Sequence, residues 1–325
     1  MESFEGKVAV VTGGGTGMGR ELVLQLAAAG CSVAACDVIL ENLEETARLA
    51  AAAGPAGVTI TTHRCDVADE ADMLRFRDEV VAQHGTDHVH LVFNNAGVGG
   101  GGSFLTGDRS EWERTFAICW GGVYNGCRAF VPLLVAAPEG HLINTSSVNG
   151  FWASLGPGIP HTAYSAAKFA VKGFSEALLE DFRMNAPHVG VSVVMPGHIG
   201  TDIVKNSRSI HASAEGPGTP EDLAAVRATM ALRGMPADDM DDDQIRSIME
   251  MMGDLFRDGA PMTAAQAATI ILDGVKAGTW RILVGDDAHM LDEAVRADPL
   301  SIYGEGGLSL GLGLPEDHQT SSPER

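Results

Sequence analysis

Lys7-Val8-Ala9-Val10-Val11-Thr12-Gly13-Gly14-Gly15-Thr16-Gly17-Met18-Gly19 is the stretch that decides the fold, with Arg20 to Ala29 directly behind it. Lys7 to Thr12 is a short apolar run, the pattern of a strand buried on both faces. The glycines follow at once, and Arg20 to Ala29 reads as a helix stopped by Gly30. That context gives a Gly-rich loop its meaning. Glycines allow a tight turn and close backbone approach, while a helix start offers free N–H groups and a partial positive charge to a pyrophosphate. The competing reading is a flexible loop, and the flanking strand and helix count against it. Gly13, Thr16, Gly17, Met18 and Gly19 are therefore the first candidates for contact with a cofactor.

Outward from this stretch the chain alternates. Strands are expected at Ser32–Asp37, Val58–Cys65, Val89–Phe93, His141–Thr145, Gly190–Met195 and Trp280–Val284. Helices are expected at Glu41–Ala53, Asp69–His84, Asp108–Ala136 (weak at Gly121-Gly122), Thr162–Asn185, Thr263–Ala277 and Asp286–Ala297. Such alternation implies an α/β fold, one doubly wound parallel sheet of about seven strands with helices on both faces. Ligands of these sheets sit at the carboxyl ends of the strands. Those ends carry Asp37, Asn94-Asn95-Ala96-Gly97, Ser146-Ser147 and the turn from Pro196 to Thr201. Asp37 stands close to the spacing at which an acidic residue takes the ribose hydroxyls of an adenosine. A 2'-phosphate there would meet a carboxylate, and no basic residue lies among Gly13 to Gly19, so NAD is expected over NADP. Gly99 to Gly102 reads as a flexible loop with no phosphate role, since no helix begins directly after it.

Tyr164 and Lys168 fall four apart in the helical run, which puts them on one face. A free phenol, with a pKa of about 10, is a poor base near neutrality. An adjacent ammonium would lower that pKa and make the phenol a general acid/base for an alcohol oxygen.

In order along the chain, Thr12-Gly13-x-x-x-Gly17-x-Gly19, Asp37, Asp66, Asn94-Asn95-Ala96-Gly97, Ser147, Tyr164-x-x-x-Lys168 and Pro196-Gly197 through Thr201 closely resemble the short-chain dehydrogenase/reductase family. The resemblance covers roughly residues 5 to 205, and the region of Trp280 to Asp287 is similar too. It implies a Rossmann-like fold and NAD-dependent interconversion of a secondary alcohol and a ketone. Tyr164 would be the acid/base. Lys168 would lower its pKa and bind the nicotinamide ribose, and Ser147 would hold the substrate oxygen. Ser146 is the runner-up; Ser147 is preferred because the family serine stands three residues before a glycine, here Gly150. Asp66 and Val67 would meet the adenine, Asn95 with Ala96 and Gly97 would lie along the cofactor, and Pro196, Ile199 and Thr201 would lie near the carboxamide. One position departs from the family. Alignment from Trp112 puts Cys119 where an Asn is common, and a thiol is a weak substitute for an amide in a proton relay. Either Asn125 compensates or the relay runs through backbone and water.

Composition excludes other classes. The formal net charge is -21, a field that repels nucleic acid and anionic membrane surfaces. No apolar run reaches transmembrane length. The first residues run into a strand without the build of a signal peptide, so the cytoplasm is expected. The five cysteines are odd in number with no Cys-x-x-Cys pair, which suits buried free thiols. His84, His88 and His90 lack further ligands for a metal, and no metal is expected. Asp239-x-Asp241-x-Asp243 imitates a calcium loop but has Gln244 where that loop needs Gly; helix capping explains it.

Residues 1–303 are expected to form one domain, with 202–262 as a substrate lid and 304–325 as a flexible tail. The lid segment is rich in methionine, which suits an adaptable apolar cover, although Ile245, Ile248, Met249 and Met252 at helical spacing also read as core. The expected substrate is a small hydrophobic alcohol or ketone, and the family implies a homo-oligomer, tetramer or dimer. The rival readings are an NADPH-dependent carbonyl reductase and a non-catalytic nucleotide-sensing or scaffold protein on the same fold.

Overall fold

The computed structural model describes residues 1–156, 159–212 and 239–303, together with Thr219, Leu223, Ala224, Val226, Arg227, Met230, Ala237 and Leu308. The breakers Pro157 and Gly158, Met235 of the lid segment and nearly all of the expected tail lie outside the described residues.

Seven parallel strands form the central sheet: β1 (Val8–Thr12), β2 (Ser32–Asp37), β3 (Ile60–Arg64), β4 (Leu91–Asn94), β5 (Gly140–Thr145), β6 (Val189–Pro196) and the last strand, Arg281–Val284, in the order β3-β2-β1-β4-β5-β6-last. Neighbouring residues of each central strand serve opposite faces, as the two-residue pleat dictates. Val10, Val92 and Leu142 enter one core with Phe130 and Val171, while Val11, Phe93 and Ile143 enter the other with Leu22 and Ile271. The helices supplying those partners are α1 (Gly17–Ala28), α2 (Leu40–Ala53), α3 (Glu70–His84), α4 (Arg109–Phe116), α5 (Gly122–Ala136), α6 (Thr162–Asn185) and a later helix at Ala264–Lys276.

Local signals fix several boundaries. The Asp69 carboxylate accepts from the N–H groups of Ala71 and Asp72 to start α3, and Gly85, left-handed at φ 58°, ends it. The weak spot in the long expected helix is a π turn, Ala117–Gly121, that joins α4 to α5 without a break. Asp241 caps the helix Asp242–Asp258 through a capping box with Gln244, which accounts for the calcium-like acidic run. All five cysteines are free and buried.

A second ladder went unread in the sequence: Ile199–Gly200 (β7) pairs in parallel with Met262–Thr263 (β8). Two-residue strands carry no periodicity to detect. After β7 comes α7 (Ile203–His211), tied to the helix Asp242–Asp258 by Lys205 to Asp254 at 2.9 Å and by Asp202 to Arg257 at 2.9 Å. Ile245 packs with Leu223, Met230 and Ala237 in a small core of its own, with Met240, Ile248 and Met249 against it. Among the described residues, no helix is long and apolar enough to cross a membrane.

Candidate active site

The sheet order reverses between β1 and β4, and a groove opens there over the carboxyl ends of the strands. One wall is the glycine loop. Gly13 takes φ +66°, which favours glycine, and a Cβ on Gly19 would fall 1.9 Å from the Gly13 carbonyl oxygen. The first-turn N–H groups of α1 have no intrahelical acceptors. Neither the Thr16 hydroxyl nor any acidic side chain of the first turn answers them. Thr12 ties this wall to β4, its hydroxyl accepting from the N–H groups of Asn95 at 3.0 Å and Ala96 at 3.1 Å. Asn95 Nδ2 donates to Thr12 O at 3.0 Å, leaving a buried Oδ1 with no partner.

Asp37 is held at the groove edge by backbone, Oδ2 accepting from Gly15 N and Oδ1 from Ile39 N, each at 3.0 Å. Arg20, one residue beyond the loop, turns its guanidinium away onto the carbonyls of Gly15 and Asn42. Asp66 faces Arg114 across the groove at 3.9 Å. Free helix-start donors, a glycine cradle, an unanswered buried amide oxygen and a fixed carboxylate fit a dinucleotide. The loop would hold the pyrophosphate and Asp37 the ribose hydroxyls.

The groove is roofed by α7, whose Ile203, Asn206 and Ile210 line it. Ser207 Oγ accepts from Gly99 N at 2.8 Å, and His211 Nε2 donates to Gly99 O at 2.9 Å. The loop Gly99–Gly102 is thus no loose connection. Glu111 accepts from Gly101 N at 2.8 Å, and a Cβ on Gly101 would meet that of Ala163 at 2.3 Å. Its glycines let α4, α6 and α7 close on bare backbone.

Beyond Gly97 lie Tyr164, Lys168, Ser147 and Cys119. Lys168, 2% exposed, donates from Nζ to Thr145 O at 2.8 Å and stands 5.4 Å from the centre of the Tyr164 ring. A Cβ on Gly97 would lie 3.5 Å from that Nζ and 3.7 Å from Cys119 Sγ, so the glycine keeps the space open. Ser147 Oγ accepts from Asn149 N at 3.1 Å and stands close enough to the Tyr164 side chain to lower its pKa. Ser146 is turned away, its hydroxyl donating to Lys168 O at 2.8 Å. Of the two serines, only Ser146 has its hydroxyl turned into α6. Cys119 sits on the π turn, fully buried, its thiol donating to Val98 O at 3.2 Å. Asn125 is engaged elsewhere, its Nδ2 donating to Val67 O at 3.0 Å.

The electrostatics correct one expectation. Burial above all pushes the Tyr164 phenol above its ordinary range, Cys119 beside it adds to the rise, and the neighbouring Ser147 hydroxyl pulls it back. Burial likewise pulls Lys168 below the usual lysine range. Desolvation is the largest effect on the phenol, and the Lys168 ammonium is engaged by the Thr145 carbonyl.

Of the residues singled out from sequence, Gly13, Thr16, Gly17, Met18, Gly19, Asp37, Asp66, Val67, Asn95, Ala96, Gly97 and Thr201 line the groove. Tyr164, Lys168 and Ser147 form the adjoining cluster. Pro196 is buried at the end of β6, and Ile199, held in the short ladder, packs into the core. Sequence reading missed Arg114 and Ile118, four apart at the π turn, and Ile203, Asn206 and Ile210 of α7. Their i, i+3, i+7 spacing marks one helix face and was a usable signal.

Comparison with known proteins places these features. A profile described as short chain dehydrogenase matches residues 7–211. A putative oxidoreductase, SadH, of Mycobacterium tuberculosis is 36% identical over 296 residues, covering 91% of this chain and 92% of the relative. A short chain dehydrogenase/reductase from Burkholderia phymatum, solved in complex with NAD, superposes with a TM-score of 0.72 at 28% identity, covering 93% of this chain and 96% of its own. A metagenomic short-chain oxidoreductase in complex with NADP is 34% identical with a TM-score of 0.52, over 59% of this chain and 83% of its own.

Proposed function

The chain belongs to the short-chain dehydrogenase/reductase family of oxidoreductases, and from that premise we propose that it interconverts a hydrophobic secondary alcohol and a ketone with NAD. One observation carries the reading: Ser147, Tyr164 and Lys168 converge beyond Gly97, where the dinucleotide groove ends. A bound nicotinamide would supply the hydride acceptor or donor. The chain's own residues do the rest. Ser147 Oγ holds the substrate oxygen beside the phenol. Tyr164 gives a proton to that oxygen during ketone reduction and takes it back during alcohol oxidation. Lys168 holds the nicotinamide ribose and keeps a positive charge behind the phenol.

Asp37 supports NAD, since a 2'-phosphate would be set against a carboxylate already fixed by Gly15 and Ile39. Ile203 and Ile210 of α7, which line the groove, support a hydrophobic substrate. Exposed rings at Tyr124 and Phe169 suit a homo-oligomer, dimer or tetramer, and the buried free thiols suit the cytoplasm.

The test is a panel of hydrophobic secondary alcohols with NAD, followed at the NADH absorbance, beside Tyr164→Phe. The variant should lose turnover while still binding NAD. Turnover retained in Tyr164→Phe removes Tyr164 from the role, and tighter binding of NADP than NAD in a fluorescence titration overturns the cofactor choice. Cofactor binding without turnover of any alcohol would favour a nucleotide-sensing scaffold.

A further inference from the structure

His161 immediately precedes α6, and its imidazole lies against the Tyr164 ring with centroids 4.6 Å apart and planes 18° from parallel. The backbone around it is anchored. Thr162 donates from Oγ1 to the carbonyls of Gly101 and Gly102, at 3.1 and 2.9 Å, and accepts from Trp112 Nε1 at 3.1 Å. Ala163 N donates to Gly101 O at 3.0 Å, and Ser165 N to His161 O at 3.1 Å. That set holds the His161 backbone in place at the start of α6.

The ring nitrogen Nδ1 is buried with no partner, which disfavours a polar residue at this position. Burial also pulls the imidazole pKa down to about 4, so the ring is neutral at ordinary pH. It therefore brings Tyr164 no charge. What it brings is a flat apolar face. The other groups that act on Tyr164 are Lys168 of the same helix, Cys119 of the π turn and Ser147 after β5. Among the described residues, His161 supplies the one aromatic ring stacked on the phenol.

We propose that His161 is a positioning residue for Tyr164: its ring covers one face of the phenol, fixes the phenol plane and keeps water from that side. The role rests on Tyr164 being the acid/base proposed above. A proton donor must meet the substrate oxygen in one orientation, and a small misplacement of a catalytic group is expensive in rate. Packing against a second, anchored ring restricts rotation about the Cβ–ring bond, which the helix backbone alone leaves free.

The chain has three tyrosines, so the ultraviolet tyrosinate titration of each protein minus that of its Tyr164→Phe counterpart isolates Tyr164. In the wild type Tyr164 should titrate above the ordinary value of about 10. His161→Ala should lower that titration by about one pH unit, because water reaches the phenolate. His161→Phe keeps a flat face and should titrate as the wild type does. His161→Gln keeps the volume without the ring and serves, with the same lowering expected, if the alanine variant fails to fold by circular dichroism. An alanine or glutamine variant titrating with the wild type overturns the proposal; so does a phenylalanine variant that follows alanine.

In turnover of 1-phenylethanol with NAD, His161→Ala should lose about tenfold in kcat with NAD affinity unchanged, and His161→Phe should recover it. A wild type that turns over no alcohol would overturn the enzymatic reading, while the titration would still decide whether His161 covers the phenol.

Discussion

Asn206 donates from Nδ2 to Thr16 Oγ1 at 2.9 Å, joining α7 to the glycine loop across the groove at the strand ends. The same helix is clamped to Gly99 on the other wall by Ser207 and His211. One short helix therefore spans both walls, and the Thr16 hydroxyl serves as its anchor instead of capping α1.

Removing that anchor should loosen the roof. Asn206→Ala is expected to speed release of NAD and raise its Kd by about two- to tenfold, the worth of one hydrogen bond of about 0.5–1.5 kcal/mol. Stopped-flow fluorescence reads both quantities. An unchanged off-rate would mean that α7 does not hold the cofactor in.

The raised phenol pKa gives the two directions different pH profiles. Below its pKa Tyr164 is protonated and ready to donate, so ketone reduction should stay flat from pH 6 to 9 as far as this group is concerned, a window estimated at about one unit below the free phenol value of about 10. Alcohol oxidation needs the phenolate and should climb with pH across the same range. Initial rates in both directions decide it. A reduction rate that falls through neutrality would show a phenol more acidic than its burial allows.

The buried Cys119 thiol makes one hydrogen bond, to Val98 O at 3.2 Å. Cys119→Asn offers an amide donor to the same carbonyl and should keep turnover at or above the wild-type level. Steady-state kinetics beside a thermal melt would check it. A well-folded but inactive variant would show that the thiol itself is required.

Acid should destabilise the fold through its buried histidines. His141, with Nε2 2.7 Å from Ser192 Oγ, is pulled down to about 4, first by burial and then by the N-terminal ammonium. Between about 6.5, the unfolded value, and about 4, the unfolded chain binds a proton that the folded one refuses. Unfolding free energy should therefore fall as pH drops through that window, by at most about 1.4 kcal/mol per unit for this residue. Denaturant titrations at pH 7, 6 and 5 should show a shallower slope in His141→Gln. An unaltered slope would mean the imidazole is hydrated in the fold.

Much of this was legible in the chain because it is local. Strand, glycine turn and helix adjoin one another at residues 7–29, and the alternation that follows implies a parallel α/β sheet. Tyr164 and Lys168 share a helix face by spacing alone, and Asp37 ends its strand at the groove edge. Tertiary structure decided what depends on distant partners. Asn206 and Thr16 are 190 residues apart in sequence, and no periodicity relates them. The turning of Ser146 into α6, the engagement of Asn125 with Val67 O and the stacking of His161 on Tyr164 are choices among hydrogen-bond and packing partners that exist only after the sheet assembles. The sign of the Tyr164 shift belongs with them. Sequence supplies the neighbouring ammonium, but desolvation is a property of the whole surrounding volume, and here it is the larger effect.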